Sequence, residues 1–349
     1  MKIGIAAFSP TGRELLKRII ATQLEHSYLV FDPAMEPLPQ WVGFAFRKAR
    51  AIVFVGATGI AVRLIAPYVV SKEKDPAVLV IDELGKHVIP ILSGHIGGAN
   101  RLALEVSSAL GAKAIISTAT DISGVFAVDE WSAISGCTIP HLDSARQLTT
   151  ALLAGKPVGF ASDFPVEDPL PKGLNRNDFS LKSGICVTLN PSRKPFESTL
   201  HVVPKIGILG VGCRQHTDPE EFEKFILATL EKHDIFLHSL TAIASVDLKR
   251  DEQCLLRFAE KYELTTHFYS ASDLSRAEGA FAYSSFVLQV AGVDNVCERA
   301  AVLCSDGGEL IVPKNTGNGI SVALARMRWA GSFEPLMLSL VERMKTVSD

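Results

Sequence analysis

Ala51-Ile52-Val53-Phe54-Val55-Gly56-Ala57-Thr58-Gly59-Ile60-Ala61-Val62-Arg63 sets five apolar residues before a glycine-rich turn and a second, helix-like segment. Extended to Val70, the stretch is apolar enough to suggest a membrane span. Gly56, Thr58, Gly59, Arg63 and Pro67 would then place a charge and several breakers near the middle of the bilayer, where they are costly. A buried strand running into a helix accounts for the same residues, and the chain is expected to be soluble and cytoplasmic, with no membrane partner.

The pattern spreads in both directions. Ile3 to Phe8 reads as a buried strand and Gly12 to Glu25 as a helix with Leu15, Leu16, Ile19 and Ile20 on one face. Tyr28 to Phe31 is a further strand and Leu38 to Arg50 a helix. Ala77 to Ile81 and His87 to Ile91 flank a tight turn at Asp82-Glu83-Leu84-Gly85-Lys86, and a helix from Asn100 precedes a strand at Lys113 to Ile116. This alternation predicts a mostly parallel sheet covered on both faces. From about Gly136 to Val203 proline and glycine recur, which predicts a small irregular middle region with Pro191 to Ser198 as its linker. A new strand begins at Ile206, and Asp218-Pro219-Glu220-Glu221 opens a helix with an N-cap acid and proline in the first turn. Strands at Thr241 to Val246, Thr265 to Tyr269, Leu310 to Pro313 and Ile320 to Ala325 follow, with helices at Asp251 to Glu263, Asn295 to Cys304 and Glu334 to Lys345. The expected fold is α/β: an amino-terminal α/β domain over residues 1–135, the middle region over 136–203, and a carboxyl-terminal α/β domain over 204–349, both with mostly parallel sheets.

Composition narrows the function. Apolar residues at 47% against 21% charged describe a globular chain, and 349 residues suffice for two to three domains. Thirty-five Lys+Arg against 38 Asp+Glu leave a formal charge of −3, which argues against a nucleic-acid partner. The six cysteines include no C-x-x-C pair and are too dilute for a disulfide scaffold, so a reducing compartment is expected. Walker, zincin, esterase and metal-spaced Cys/His motifs are all missing, so no metal site is expected.

Several loops carry candidate chemistry. Gly56, Thr58, Gly59 and Arg63 follow a strand and open a helix, where backbone N–H groups suit a carboxylate or phosphate. Ser93-Gly94-His95-Ile96-Gly97-Gly98-Ala99-Asn100 places a histidine, suited to proton transfer near neutrality, within a similar cradle. Ser117-Thr118-Ala119-Thr120-Asp121 closes the next strand with three hydroxyls and an acid, as a helix cap or a further wall of the same crevice. His95 and Asp121 are expected near one another at the carboxyl edge of the first sheet, where the glycine loops should converge on a cleft. Gly210-Val211-Gly212-Cys213-Arg214 matches only half of a dinucleotide fingerprint, and Arg214 is the better reading, as a carboxylate clamp. Ser245-Val246-Asp247-Leu248-Lys249 and Lys314 to Gly319 add polar and cationic groups near strand ends.

Taken in order, Gly56 to Arg63, Leu92 to Asn100 and Thr118 to Asp121 resemble the amino-terminal half of the cobalamin-biosynthesis CbiG family. Gly210 to Arg214, Ala244 to Lys249, Gly292 to Glu298 and Pro313-Lys314 resemble its carboxyl-terminal domain, which also occurs alone in the aerobic pathway. Arg214-Gln215-His216 departs from the family, which usually has a second basic residue and a glycine there. The resemblance implies a cobalt-precorrin-5A hydrolase, or alternatively a non-catalytic carrier of corrin intermediates. The substrate would be a tetrapyrrole that brings its own cobalt, so no cofactor is expected, and neighbouring corrin-pathway enzymes are possible partners. His95 and Asp121 become the candidate catalytic pair. The candidate substrate-binding set is Gly56, Thr58, Gly59, Arg63, Ser93, Gly94, Gly97, Gly98, Asn100, Thr118, Thr120, Gly212, Cys213, Arg214, Ser245, Asp247, Lys249, Glu298 and Lys314.

Overall fold

A computed structural model describes residues 1–22, 26–71, 74–94, 97–117, 125–167 and 169–333, with the side chains of residues 142 and 143 left aside. The architecture is mixed α/β, with three separate sheets and helices packed against them. The helix expected at Glu334 to Lys345 lies outside the described residues.

The first sheet has the order β2-β1-β3-β4-β5-β6, from β1 (Lys2–Ala7), β2 (Ser27–Val30), β3 (Ala51–Val55), β4 (Ala77–Ile81), β5 (His87–Leu92) and β6 (Lys113–Ala114). Helices α1 (Pro10–Ala21), α2 (Leu38–Lys48), α3 (Thr58–Ile65) and α4 (Ala99–Leu110) cover it. Every residue of β3 and β4 is buried, because helices lie on both faces. Core on one side gathers Leu15, Leu16, Ile19, Leu102 and Val106; on the other it gathers Trp41, Val42, Ala45, Ala61 and Ile65.

One connection in this sheet has consequences for function. The Asp82 carboxylate accepts from the N–H groups of Leu84, Lys86 and His87, and Gly85 sits at φ +68°, so the chain turns tightly. β5 therefore runs antiparallel to β4, with Leu92 opposite Val78, whereas β1 to β4 are parallel. β6 is parallel to β5, so it too runs against β1 to β4.

The expected irregular middle is instead an ordered five-stranded sheet, β7-β11-β10-β8-β9. It comprises β7 (Cys137–Thr138), β8 (Val158–Ser162), β9 (Leu174–Arg176), β10 (Ser183–Val187) and β11 (Ser198–Pro204), with α5 (Val128–Ile134) and α6 (Leu142–Leu153) packed on it. Its strands are short and separated by proline-bearing loops, so they carry little periodicity to read. Gly159 and Gly184 are sheet positions over which the Phe196 ring lies too close for any side chain. The chain also returns here from its far end: Phe333 stacks on Trp131 at 4.9 Å, and the indole N–H of Trp131 donates to the Ser332 carbonyl at 2.9 Å.

The third sheet has the order β14-β13-β12-β16-β15. β12 (Gly207–Cys213), β13 (Leu240–Val246) and β14 (Thr265–Tyr269) are parallel, whereas β15 (Glu309–Gly317) and β16 (Ile320–Arg326) are antiparallel. A mostly parallel sheet does not hold here. Asn318 and Gly319 both have positive φ, 52° and 76°, and Gly317 faces Ile320 across the two-residue turn. Such an Asn-Gly turn makes a hairpin, so its two strands must be antiparallel. The helices are α7 (Pro219–Lys232), α8 (Gln253–Lys261), α9 (Ala271–Leu274), α10 (Ser285–Ala291) and α11 (Cys297–Cys304). α7 starts as its sequence predicts, with Asp218 accepting from the N–H groups of Glu220 and Glu221 at 3.0 Å.

Candidate functional site

The antiparallel β5 separates the two glycine loops of the first sheet. Gly56 follows Val55, which pairs with Ile81, so Gly56, Thr58, Gly59 and Arg63 stand at the carboxyl edge of β1 to β4. Ser93 follows Leu92, which pairs with Val78 near the start of β4, so its loop leaves from the opposite edge. The expected convergence of the two loops on one cleft is thereby overturned. Gly56 has a packing role: with φ +143°, a Cβ there would strike the Phe8 ring. Arg63 is exposed and its guanidinium donates to the Gly59 carbonyl at 3.1 Å.

At the opposite edge, Ser93 takes φ 54° and its hydroxyl donates to the Asp75 carbonyl at 3.0 Å. The N–H groups of Ala99 and Asn100 donate to the carbonyls of Ser93 and Gly94, while Gly98 caps α4 in a left-handed conformation. Gly97 and Gly98 border a hollow of about 330 Å³ shared with Met1, Arg50, Arg101 and Glu130. Two guanidinium groups beside a helix start make this an anion-friendly edge. His95, Thr118, Thr120 and Asp121 lie outside the described residues. The strands that lead to them, β5 and β6, are parallel neighbours.

The candidate residues of the third sheet come together more fully. β12 and β13 end, β15 ends and β16 begins on one edge, and there a cavity of about 790 Å³ opens. Its polar wall includes Gly212, Cys213, Arg214, Lys249, Glu252 and Lys314. The other wall is apolar, built by Phe286, Val287, Val290 and Ala291 of α10 with Val296. Phe286 is 71% exposed and Val290 62%, an unusual investment of apolar surface on one short helix. Sequence reading missed this wall. Its available signal was Ser285-Phe286-Val287-Leu288-Gln289-Val290-Ala291, an apolar segment after a hydroxyl cap and before Gly292, where Ser284 accepts from the Val287 N–H.

Three expected contacts stand apart from the cavity. Ser245 is buried and its hydroxyl donates to the Val211 carbonyl at 2.8 Å, tying β13 to β12. Asp247 is exposed at the start of a single helical turn, outside the cavity lining. Glu298 is only 3% exposed, and its carboxylate accepts from the N–H groups of Lys314 (2.8 Å) and Ala282 (2.7 Å) and from the Asn295 amide (2.6 Å). It therefore joins α11 to β15 and to the loop before α10, holding the two cavity walls. Glu298→Ala is expected to destabilise the protein by about 3 kcal/mol, since three donors would lose their acceptor in a buried site. Urea denaturation checks this, and a midpoint unchanged from the parent would exclude the role.

Under the polar wall, the Cys213 and Cys254 sulfurs are 3.8 Å apart. Glu252 accepts from the Lys249 ammonium at 3.1 Å and from the His216 N–H at 3.1 Å. The hydrogen bond with Cys254 outweighs burial and, helped by the Lys249 charge, holds the Cys213 thiol below its ordinary value, whereas Cys254 is raised by that same contact and by burial. All six cysteines are free thiols, and no helix among the described residues is long and apolar enough to cross a membrane.

Comparison with known proteins finds relatives in cobalamin biosynthesis. The family described as "Cobalamin synthesis G N-terminal" matches residues 40–121, and "Cobalamin synthesis G C-terminus" matches residues 207–325. A cobalt-precorrin-5A hydrolase from Salmonella typhimurium is 32% identical over 350 residues, covering 92% of this chain and 97% of that protein. One from Priestia megaterium is 32% identical over 298 residues, covering 80% and 79%. Among solved structures, CobE, a protein from the cobalamin biosynthetic pathway, is 32% identical, covers 36% of this chain and 93% of its own, and has a TM-score of 0.34.

Proposed function

The chain belongs to the cobalamin synthesis G family, and from that premise we propose that it hydrolyses cobalt-precorrin-5A, opening the δ-lactone and releasing acetaldehyde to give cobalt-precorrin-5B. One observation carries the reading: the 790 Å³ cavity sets cationic groups against an apolar helix face. A tetrapyrrole has a broad apolar ring and a rim of carboxylates, and such a ligand needs both kinds of wall. The volume lies within the roughly 300–1,000 Å³ of small-molecule sites. Arg214, Lys249 and Lys314 are the clamps for rim carboxylates, and Phe286 and Val290 the platform for the ring.

The reaction needs water to add at the lactone carbonyl, breaking the ring C–O bond. The former bridging carbon then carries a free hydroxyl. Removing that proton lets the adjacent C–C bond break: the carbon leaves with its methyl as acetaldehyde, and the electron pair of the broken bond stays on the macrocycle. His95 is the proposed base, Asp121 its neighbour in role, and the N–H groups at Gly97 and Gly98 the donors for the oxyanion, a contribution of about 3 kcal/mol.

The test is incubation of the purified chain with cobalt-precorrin-5A and measurement of acetaldehyde. Multiple turnovers support the hydrolase; stoichiometric binding without acetaldehyde would instead identify a carrier of corrin intermediates. Within the hydrolase reading, Phe286→Ser and Arg214→Ala are each expected to raise KM about tenfold with kcat nearly unchanged, because both groups hold substrate away from the bond being broken. A fall in kcat with KM unchanged would move those residues out of the binding role.

A further inference from the structure

We propose that Cys213, Cys254 and Glu252 form a binding site for a thiophilic divalent cation of the zinc or cobalt(II) class at the floor of the cavity. The inference does not depend on the corrin reading. The two sulfurs and a Glu252 carboxylate oxygen lie within 4.8 Å of one another, contributed by the end of β12 and the start of α8. The sulfur separation of 3.8 Å matches the edge of a tetrahedron with metal–sulfur bonds of about 2.3 Å. Cys254 is buried, whereas Cys213 and Glu252 line the cavity, so the fourth coordination position points toward the cavity, as in sites with three protein ligands and one exchangeable ligand.

The surroundings suit such a site. Lys249 donates to one carboxylate oxygen of Glu252 and the His216 N–H to the other, orienting the ligand as supporting hydrogen bonds commonly do. Each oxygen keeps a lone pair for the metal. As each metal–sulfur bond forms, the thiol gives its proton to solvent, and the resulting three negative ligands outweigh the cation by one charge. The Lys249 ammonium offsets that charge. Cys213 and Cys254 are 41 positions apart, far wider than the short Cys-x2–4-Cys spacing by which zinc sites are read from sequence.

Cobalt(II) is the probe. The full-length, tag-free chain, fully reduced and kept anaerobic, is titrated with the ion and followed by absorption. The expected result is a sulfur-to-cobalt charge-transfer band that saturates at one ion per chain and is bleached by zinc. Cys213→Ala and Cys254→Ala should each abolish the band, and Cys304→Ala should retain it. Lys249→Met should weaken the affinity about tenfold through the orientation of Glu252. Because Cys254 is buried, the half-buried Cys213 provides the decisive variant if Cys254→Ala fails to fold. No band with all six thiols reduced, a band that survives Cys213→Ala, or a Cys213–Cys254 disulfide as the only chemistry of the pair would overturn the site.

Discussion

Replacing His95 by alanine is expected to slow acetaldehyde release about 100-fold while cobalt-precorrin-5A still binds, the usual scale for the loss of an acid–base group. Expulsion of acetaldehyde requires a proton to leave a hydroxyl as a C–C bond breaks. Among side chains, an imidazole is the one whose ordinary titration lies near the working pH. Among the described residues of this loop, the Ser93 hydroxyl donates to the Asp75 carbonyl, and the N–H groups of Ala99 and Asn100 donate to the carbonyls of Ser93 and Gly94. Under the proposed reading, binding and proton transfer fall to different sheets, so His95→Ala should lower kcat while the cavity variants raise KM. A normal turnover rate for His95→Ala would make the histidine structural and leave the cavity reading standing.

Gly210→Ala is expected to be the most disruptive single substitution in the third sheet, destabilising it by roughly 4 kcal/mol or preventing folding. Gly210 lies in β12, beneath α11. A Cβ at that position would fall inside the Cys297 carbonyl oxygen and within 2.8 Å of the Ala301 methyl. Backbone cannot rotate aside as a side chain can, so α11 would have to lift from the sheet. It would carry Glu298 with it, and with Glu298 the contacts to Lys314 and Ala282 that hold the cavity walls. A denaturation midpoint within experimental error of the parent would show that α11 is not seated as described. Gly212 makes the useful contrast: there the nearest group is the Ser321 hydroxyl at 2.8 Å, a side chain able to move, so alanine should be far milder.

These two glycines sit in one motif, Gly210-Val211-Gly212, which read by letters alone suggested half of a nucleotide loop. The structure shows that the first of them is a place where a helix backbone rests on a strand. The same division runs through the molecule. Hydrophobic runs such as Ala51–Val55 and Ala77–Ile81 were legible as buried strands because burial on both faces leaves almost no alternative residues. The cap at Asp218-Pro219 and the turn at Asp82 to Lys86 were legible because their chemistry is local. Asn318-Gly319 holds the same kind of signal, that of a two-residue hairpin, but within a stretch whose polar and cationic groups read equally as a solvated loop.

What the chain by itself determined, then, is each element whose cause lies within a few residues: apolar runs, helix caps, tight turns, and the motif order that marks the family. Direction within the sheet was not among these. The Asp82 hairpin sent β5 backward, so two glycine loops of similar sequence came to stand on opposite edges. Nor was the middle sheet, whose core needs Trp131 against Phe333, two residues some 200 positions apart. The cavity belongs to the same class. Its cationic wall comes from β12, β15 and the turn after β13, its apolar wall from α10, and its sulfur pair from Cys213 and Cys254. Such sites are made by long-range packing, which brings side chains together through surfaces buried elsewhere, and that packing was decided only when the whole chain had folded.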